Sequence, residues 1–310
     1  MFISQLRNKL ETYDKYKIHR INGLKAVYIL YLMILLNLFS NLVNPYFYFF
    51  YVPLTCFTVE SAGKTLQEKY LFLLYALLGV TLSIFLFGVL SVYKLLFLFF
   101  TFFYALFLYF LVLNSIKSML AIVPLMLSLA SYSLIYGTDA DSNFYIACNH
   151  ALQTLMAMVV IFAGLYFFPN KYYYDIWMRA KIEVVNELTN LSKKIAEGEV
   201  KTIPIFPSII LMERYSKMLP KHLKTYSILR ITLLSYQLVL TMSYLFSFQD
   251  QIPKEKILRL HNNLERLAIA CKEGRAVVLT PSDQLALRET HELHLLYRLM
   301  LSWNYLCANG

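Results

Sequence analysis

Long stretches without charge constrain this chain more than any other feature. No Asp, Glu, Lys or Arg occurs between Lys25 and Glu60, and only Lys94 and Lys117 interrupt the stretch between Lys69 and Asp139. About 20 apolar residues in a helix cross the roughly 30 Å hydrocarbon core of a bilayer. Because the alternating polarity of membrane strands is missing, the sequence predicts membrane-spanning helices.

The uncharged stretches predict six spans and an all-α protein. The spans are expected near residues 26–42, 46–59, 71–90, 95–113, 119–136 and 150–168. The second is short for a full crossing. We therefore predict a cytosolic amphipathic arm over residues 1–22, a six-helix transmembrane bundle over 23–170 and a cytosolic α-helical domain over 171–310.

The positions of lysine and arginine predict the orientation in the membrane. Cations cluster in the N-terminal arm, in the loop that holds Lys64 and Lys69, and after the sixth span. The loop with Asp139 and Asp141 has none. Cytosolic loops carry the excess of Lys and Arg, so we expect both termini in the cytosol. The chain carries a net charge of +10. We assign its flanking cations to contact with anionic lipid and not to nucleic acid.

The segment Gly63-Lys64-Thr65 matches the end of a phosphate-binding loop, but the rest of that motif is missing. The first glycine of G-x-x-x-x-G-K-[ST] would stand at position 58, which is Thr58. The motif also requires a preceding strand, whereas this segment follows an apolar span. We interpret it as a cytosolic turn in which Lys64 and Lys69 hold the chain on the cytosolic side.

Charged residues return after Pro169, and helical segments alternate with breakers. The pattern predicts a helix over residues 173–198, another from Pro253 to Gly274, and a last one from Thr280 toward Cys307. Residues 231–248 carry no charge. They fit either a seventh span or a buried central helix of the cytosolic domain, and we favour the buried helix.

Residues 19–27 (HRINGLKAV) and 44–65 (NPYFYFFYVPLTCFTVESAGKT) resemble the fusaric acid resistance / aromatic acid exporter family. The resemblance covers about the first 170 residues and includes a sixth span that ends at proline. It implies an inner-membrane protein that exports small aromatic or amphipathic organic acids. Larger members carry two such repeats. A single copy therefore implies a homo-oligomer, at least a dimer, that builds the pathway from several subunits.

Several polar residues within or beside the spans are candidates for a transport pathway or for coupling. Glu60 lies at a cytosolic span end, where water can reach it, and His150 opens the sixth span beside Asn149. Either residue serves transport or is a solvated end residue. Asn37, Asn41 and Gln153 line a polar path or hydrogen-bond helix to helix.

No enzyme, metal or cofactor is predicted. His291 and His294 stand three residues apart, whereas H-E-x-x-H requires four, and the four cysteines show no paired spacing. Two function classes stay open. One is an organic-acid exporter, and the other is a non-transporting scaffold whose cytosolic helices recruit a protein partner.

Overall fold

A computed structural model describes residues 13–40, 49–115, 120–137, 143–198, 206–220, 226–248 and 251–309. Every regular element within these ranges is a helix, which confirms the predicted all-α class. The chain forms two compact units, Met1–Pro169 and Asn170–Gly310.

Six helices form the described part of the first unit, and a π-helical turn, Ser133–Gly137, extends the fifth. They are α1 (Ile18–Ser40), α2 (Tyr51–Ala62), α3 (Leu66–Leu90), α4 (Lys94–Ser115), α5 (Ile122–Tyr132) and α6 (Phe144–Phe167).

Helix α3 lies at the centre of this unit and packs most extensively against α6 and α5. Its buried side chains include Phe72, Val80 and Phe87. Helix α4 instead directs most of its aromatic side chains outward, and Phe103 is 63% exposed. A helix with an apolar outer surface needs an apolar surrounding, so this exposure is typical of lipid contact.

Five described helices are long and apolar enough to cross a membrane, namely α1, α3, α4, α6 and the later helix Tyr226–Ser247. These helices indicate a membrane protein. Within the described residues, the second predicted span contains α2, whose 12 residues are about 18 Å long at 1.5 Å per residue and therefore shorter than a crossing. The fifth contains the 11 residues of α5 and the π-helical turn that continues it to Gly137.

Helix α1 begins at Ile18, earlier than the predicted span start at residue 26. The Asp14 carboxylate accepts hydrogen bonds from the backbone N–H groups of His19 (3.3 Å) and Arg20 (2.9 Å). A helix start leaves such N–H groups without intrahelical partners, and this side chain satisfies two of them. The remainder of the predicted arm, residues 1–12, lies outside the described residues.

The second unit contains six described helices. They are α7 (Lys171–Glu197), α8 (Pro207–Met218), α9 (Tyr226–Ser247), α10 (Lys254–Glu273), α11 (Pro281–Ala286) and α12 (His291–Asn309). Helix α7 packs against α10 and α8, and α9 packs mainly against α12. The Trp177 indole of α7 donates a hydrogen bond to the Thr232 hydroxyl of α9 at 3.1 Å, inside the core.

Helix α9 is only half buried, which differs from the predicted central helix. Ile231, Leu238 and Met242 face the core, whereas Leu233 and Leu240 on the opposite face are more than half exposed. The helix is uncharged on both faces because no charged residue occurs over positions 231–248. Its length and composition also fit a membrane crossing.

The last predicted helix is divided into α11 and α12. The Thr280 hydroxyl and the Asp283 carboxylate form a capping box that starts α11. Helix α11 then ends, and the Thr290 hydroxyl accepts a hydrogen bond from the Leu293 N–H at 3.4 Å to start α12. A second N-cap inside the segment explains the break, because N-capping threonine favours a new helix start.

Gly198 ends α7 with φ +72° and ψ +20°, in the left-handed region. A Cβ added at this position would have no neighbouring atom within 4 Å. We expect Gly198→Ala to lower the free energy of unfolding of the second unit by about 1 kcal/mol, because an L-residue is strained there. Gly198→Asn should lower it less, since asparagine tolerates this conformation. Thermal unfolding of the purified full chain measures both, and equal losses would contradict this account.

Candidate functional site

A cluster of three buried charged side chains lies in the first unit. The Glu60 carboxylate accepts a hydrogen bond from the Lys25 ammonium at 2.5 Å and a second one from the Lys69 ammonium. The three side chains are 9%, 4% and 3% exposed, in the order Glu60, Lys25 and Lys69. We call this group the Lys–Glu–Lys cluster.

The cluster joins three helices at one end of the unit. Lys25 lies in α1, Glu60 near the end of α2 and Lys69 in the first turn of α3. The ammonium of Lys25 also lies 5.5 Å from the centre of the Phe168 ring, which follows α6. The cluster is therefore positioned by tertiary packing of segments that are distant in sequence.

The turn between α2 and α3 sets the geometry of the pair Glu60–Lys69. The Thr65 hydroxyl accepts from the Glu68 N–H at 3.2 Å, and the Glu68 carboxylate accepts from the Lys64 N–H at 3.0 Å. These bonds cap the start of α3 and reverse the chain. The motif Gly63-Lys64-Thr65 thus builds a helix start.

Gly63 is required in this turn because the Lys69 stem passes directly over it. A Cβ at position 63 would overlap the Lys69 Cγ atom and would lie 3.3 Å from the Lys69 backbone N. The backbone angles of Gly63, φ −76° and ψ +130°, suit any residue. The requirement for glycine is therefore space for Lys69 and not an unusual conformation.

The structure corrects two expectations about this region. The sequence predicts Glu60 at a span end that water can reach and Lys69 among the flanking cations that contact anionic lipid, yet both side chains are buried. Burying a charged side chain costs several kcal/mol unless it has partners. Removing one member of such a group leaves the others buried without a charged partner. Mutual pairing makes their burial possible.

His150 and Gln153 lie on the buried face of α6, and both are 7% exposed. The Gln153 amide donates to the Asn149 side-chain oxygen at 3.3 Å. Helix α6 begins at Phe144, so His150 lies in its second turn and not at an exposed start. Along the helix, His150 is about 27 Å from Phe168, and the cluster and His150 therefore lie at opposite ends of α6.

Two buried threonine hydroxyls have no hydrogen-bond partner among the described residues, and they belong to Thr55 and Thr154. Both side chains have no exposed surface. By contrast, Thr58 and Thr81 donate to the carbonyl four residues earlier, at 2.6 and 2.8 Å. Buried polar groups without a partner are rare and indicate a place for water or ligand.

The remaining candidates are not part of this arrangement. Asn37 is half-buried in the last turn of α1. Asn41 lies outside the described residues, as do Asp139 and Asp141. No group of three or more metal-binding side chains occurs in the described ranges.

A second buried cation lies in the second unit. Lys181 has no exposed surface, and its ammonium lies 2.9 Å from the centre of the Trp303 ring. The Trp303 indole N–H donates to the Arg275 carbonyl at 2.9 Å, which fixes the ring. Burial lowers the pKa of Lys181 from 10.5 to about 8, and the neighbouring Cys271 partly opposes this shift. A cation over a tryptophan face gains about 2 kcal/mol when desolvated.

The sequence contains only a partial signal for these sites. Lys25 and Lys69 flank uncharged stretches and therefore resemble ordinary membrane-flanking cations. Lys181 interrupts an otherwise apolar helical stripe, which is a recognisable departure from amphipathic patterning. Comparison with protein-family models, with curated proteins and with solved structures finds no match to the chain.

Gly63→Ala should destabilise the first unit, because the added methyl group displaces the Lys69 stem from Glu60. We expect a loss of about 1–3 kcal/mol, the usual cost of overpacking. Gly23→Ala is the matched control, since nothing lies within 4 Å of a Cβ there and alanine favours a helix. Thermal unfolding in detergent should separate the two variants, and a Gly63→Ala protein as stable as the control would refute the steric argument.

Lys181 should make stability depend on alkaline pH. The pKa of Lys181 is about 8 in the folded protein, below the ordinary value of 10.5. Between pH 8 and 10.5, Lys181 is therefore mostly neutral in the folded protein and mostly protonated in the unfolded chain. Stability contributed by this group therefore rises with pH across that window, by roughly 3 kcal/mol in total. Unfolding measured from pH 7 to 10.5 should show this rise relative to Lys181→Met. A constant difference between the two proteins would contradict it.

Proposed function

We propose that the protein is a subunit of a bacterial inner-membrane transporter that exports small aromatic or amphipathic organic acids. The Lys–Glu–Lys cluster is the observation that carries this proposal. We place both termini in the cytosol, so that the cluster lies at the cytosolic end of the membrane unit. The resemblance of residues 19–27 and 44–65 to aromatic acid exporters supports the same substrate class.

The chemistry of the cluster suits an organic acid. Two ammonium groups hold one carboxylate, and a substrate carboxylate has the same charge and the same acceptor atoms as Glu60. Entry of such an anion competes with Glu60 for Lys25 and Lys69, which loosens the contact between α1, α2 and α3. Charge-assisted hydrogen bonds are strong enough for this exchange to provide both binding and gating.

Stability alone does not explain why three charged side chains are buried in the cluster. Well-packed apolar side chains of similar volume often hold helices together equally well or better. Ionisable groups inside a membrane unit are accordingly functional candidates by default. Water or substrate beyond the cluster has further polar contacts in the Thr55 and Thr154 hydroxyls and in Gln153.

We propose that the working unit contains at least two copies of the chain. Helix α2, with 12 residues, is too short to cross the hydrocarbon core unaided. Contact between subunits encloses a pathway that six helices alone enclose poorly.

The exposed face of α9 favours the second function class, a scaffold. Leu229, Leu233, Leu240 and Tyr244 repeat at helical spacing and are 42%, 58%, 54% and 60% exposed. An uncharged face of this kind suits an apolar partner surface. A pure scaffold, however, leaves the Lys–Glu–Lys cluster without a role.

The triple variant Lys25→Met, Glu60→Met, Lys69→Met tests the proposal. Methionine replaces each charged side chain with a flexible apolar one, so we expect a folded protein with stability equal to or above wild type. Efflux of radiolabelled benzoate from proteoliposomes should fall at least tenfold. Glu60→Gln alone should also impair efflux, and it should lower stability by about 3–5 kcal/mol because two buried lysines lose their charged partner.

The two function classes give different results in this assay. If the folded triple variant transports benzoate at the wild-type rate, the cluster only holds helices together and the transport proposal fails. If wild-type proteoliposomes release benzoate no faster than empty liposomes, the scaffold class is favoured. Lys94→Met provides a control for loss of a lysine outside the cluster.

A further inference from the structure

The second unit contains a cavity of about 610 Å³ between the start of α9 and the end of α12. Tyr226, Ser227 and Arg230 line it from α9, and Leu301, Ser302 and Tyr305 line it from α12. This volume lies within the range of about 300–1,000 Å³ that is usual for small-molecule sites. The cavity shares no residue with the Lys–Glu–Lys cluster.

Arg230 is the charged group of this cavity. Its Nε atom is buried and has no hydrogen-bond partner among the residues that the structure describes. An arginine presents five N–H donors in a fixed fork that matches a carboxylate, and leaving a buried donor unpaired costs about 1–3 kcal/mol. Because Arg230 lines the cavity, its guanidinium gives this wall a positive charge that suits an anionic ligand.

The surroundings of Arg230 add to the preference for an anion. Ser227 and Ser302 are each only 4% exposed. The Ser302 hydroxyl donates to the Arg298 carbonyl at 2.8 Å, so Ser227 supplies the other polar group of this wall that could face an anion. The cavity also adjoins the first turn of α9, a helix of 22 residues without an acidic residue in that turn. The N-terminal end of such a helix carries about half a positive charge.

The outer wall of the cavity is aromatic and aliphatic. Tyr226 and Tyr305 are 75% and 63% exposed, and Leu301 is 39% exposed. Tyrosine rings offer flat apolar faces to a ligand and keep their hydroxyls in water. A ligand that fits both regions has a negative head at Arg230 and an apolar body against these side chains.

We propose that this cavity is a binding site for a small monocarboxylate with an aromatic or branched apolar body. The carboxylate pairs with the Arg230 guanidinium, and the body packs against Tyr226, Tyr305 and Leu301. This inference depends on the second unit alone. It is tested separately from the proposed transport, which uses the first unit.

Benzoate is the probe, measured by calorimetry on the full chain in nanodiscs of phosphatidylcholine. The chain carries the triple methionine substitution of the cluster, so that benzoate cannot bind there. We expect saturable binding of benzoate, and binding of benzamide and of acetate at least tenfold weaker. Benzamide lacks the charge, and acetate lacks the body.

Arg230→Gln should weaken benzoate binding at least tenfold, the usual effect of losing a charge-assisted hydrogen bond. Arg259→Gln is the matched control, because it removes the same charge from an exposed side chain of α10 that does not line the cavity. Leu301→Trp fills the apolar part and leaves Arg230 in place. It should weaken benzoate at least tenfold and leave acetate unchanged.

Three results in the phosphatidylcholine nanodiscs would overturn the assignment. They are undetectable binding of benzoate to the parent protein, equal affinity in Arg230→Gln and the Arg259→Gln control, and equal affinity for benzamide and benzoate. Nanodiscs that contain phosphatidylglycerol test a lipid headgroup as the source of the anion. If this lipid displaces benzoate and Arg230→Gln abolishes the displacement, the site belongs to anionic lipid and the monocarboxylate assignment is wrong. Unchanged benzoate affinity in these nanodiscs supports the assignment.

Discussion

The low polarity of a membrane interior governs the first unit. Hydrocarbon forms no hydrogen bonds, so the backbone N–H and C=O groups must bond to each other, as they do in a helix. A charged side chain must likewise be paired with other protein groups. The apolar outer surface of α4 fits this constraint, and Lys25, Glu60 and Lys69 pair because all three side chains are buried in the unit. The absence of a side chain at Gly63 makes this pairing possible, because it leaves space for Lys69 to reach Glu60.

The second unit relies on a buried core between amphipathic helices. Helices α7 and α10 turn apolar stripes inward and charged faces outward, while Trp177 and Thr232 hydrogen-bond within the core. Helix α9 departs from this pattern because it is apolar on its outer face as well. Such a surface is stable only when lipid or another protein covers it. We therefore expect this unit to contact its surroundings through α9.

Three buried or half-buried cationic arrangements differ in how the charge is balanced. A carboxylate neutralises Lys25 and Lys69, an aromatic face holds Lys181, and the Arg230 Nε–H has no acceptor in the described structure. The first arrangement suits exchange with a substrate anion, and the second suits a structural role with pH-dependent stability. The third suits an anionic ligand in the cavity that Arg230 lines.

The sequence by itself determined the helical class, the apolar helices and the helix ends at Gly198 and Gly274, because these depend on composition and local backbone preference. It did not determine the break before Thr290, where local capping competes with a continuous apolar pattern. Only the tertiary structure decided that Glu60 is buried between two lysines and that Arg230 faces a cavity. The partners of these groups lie on helices distant in sequence, and hydrophobic patterning contains no record of which charges meet when those helices pack.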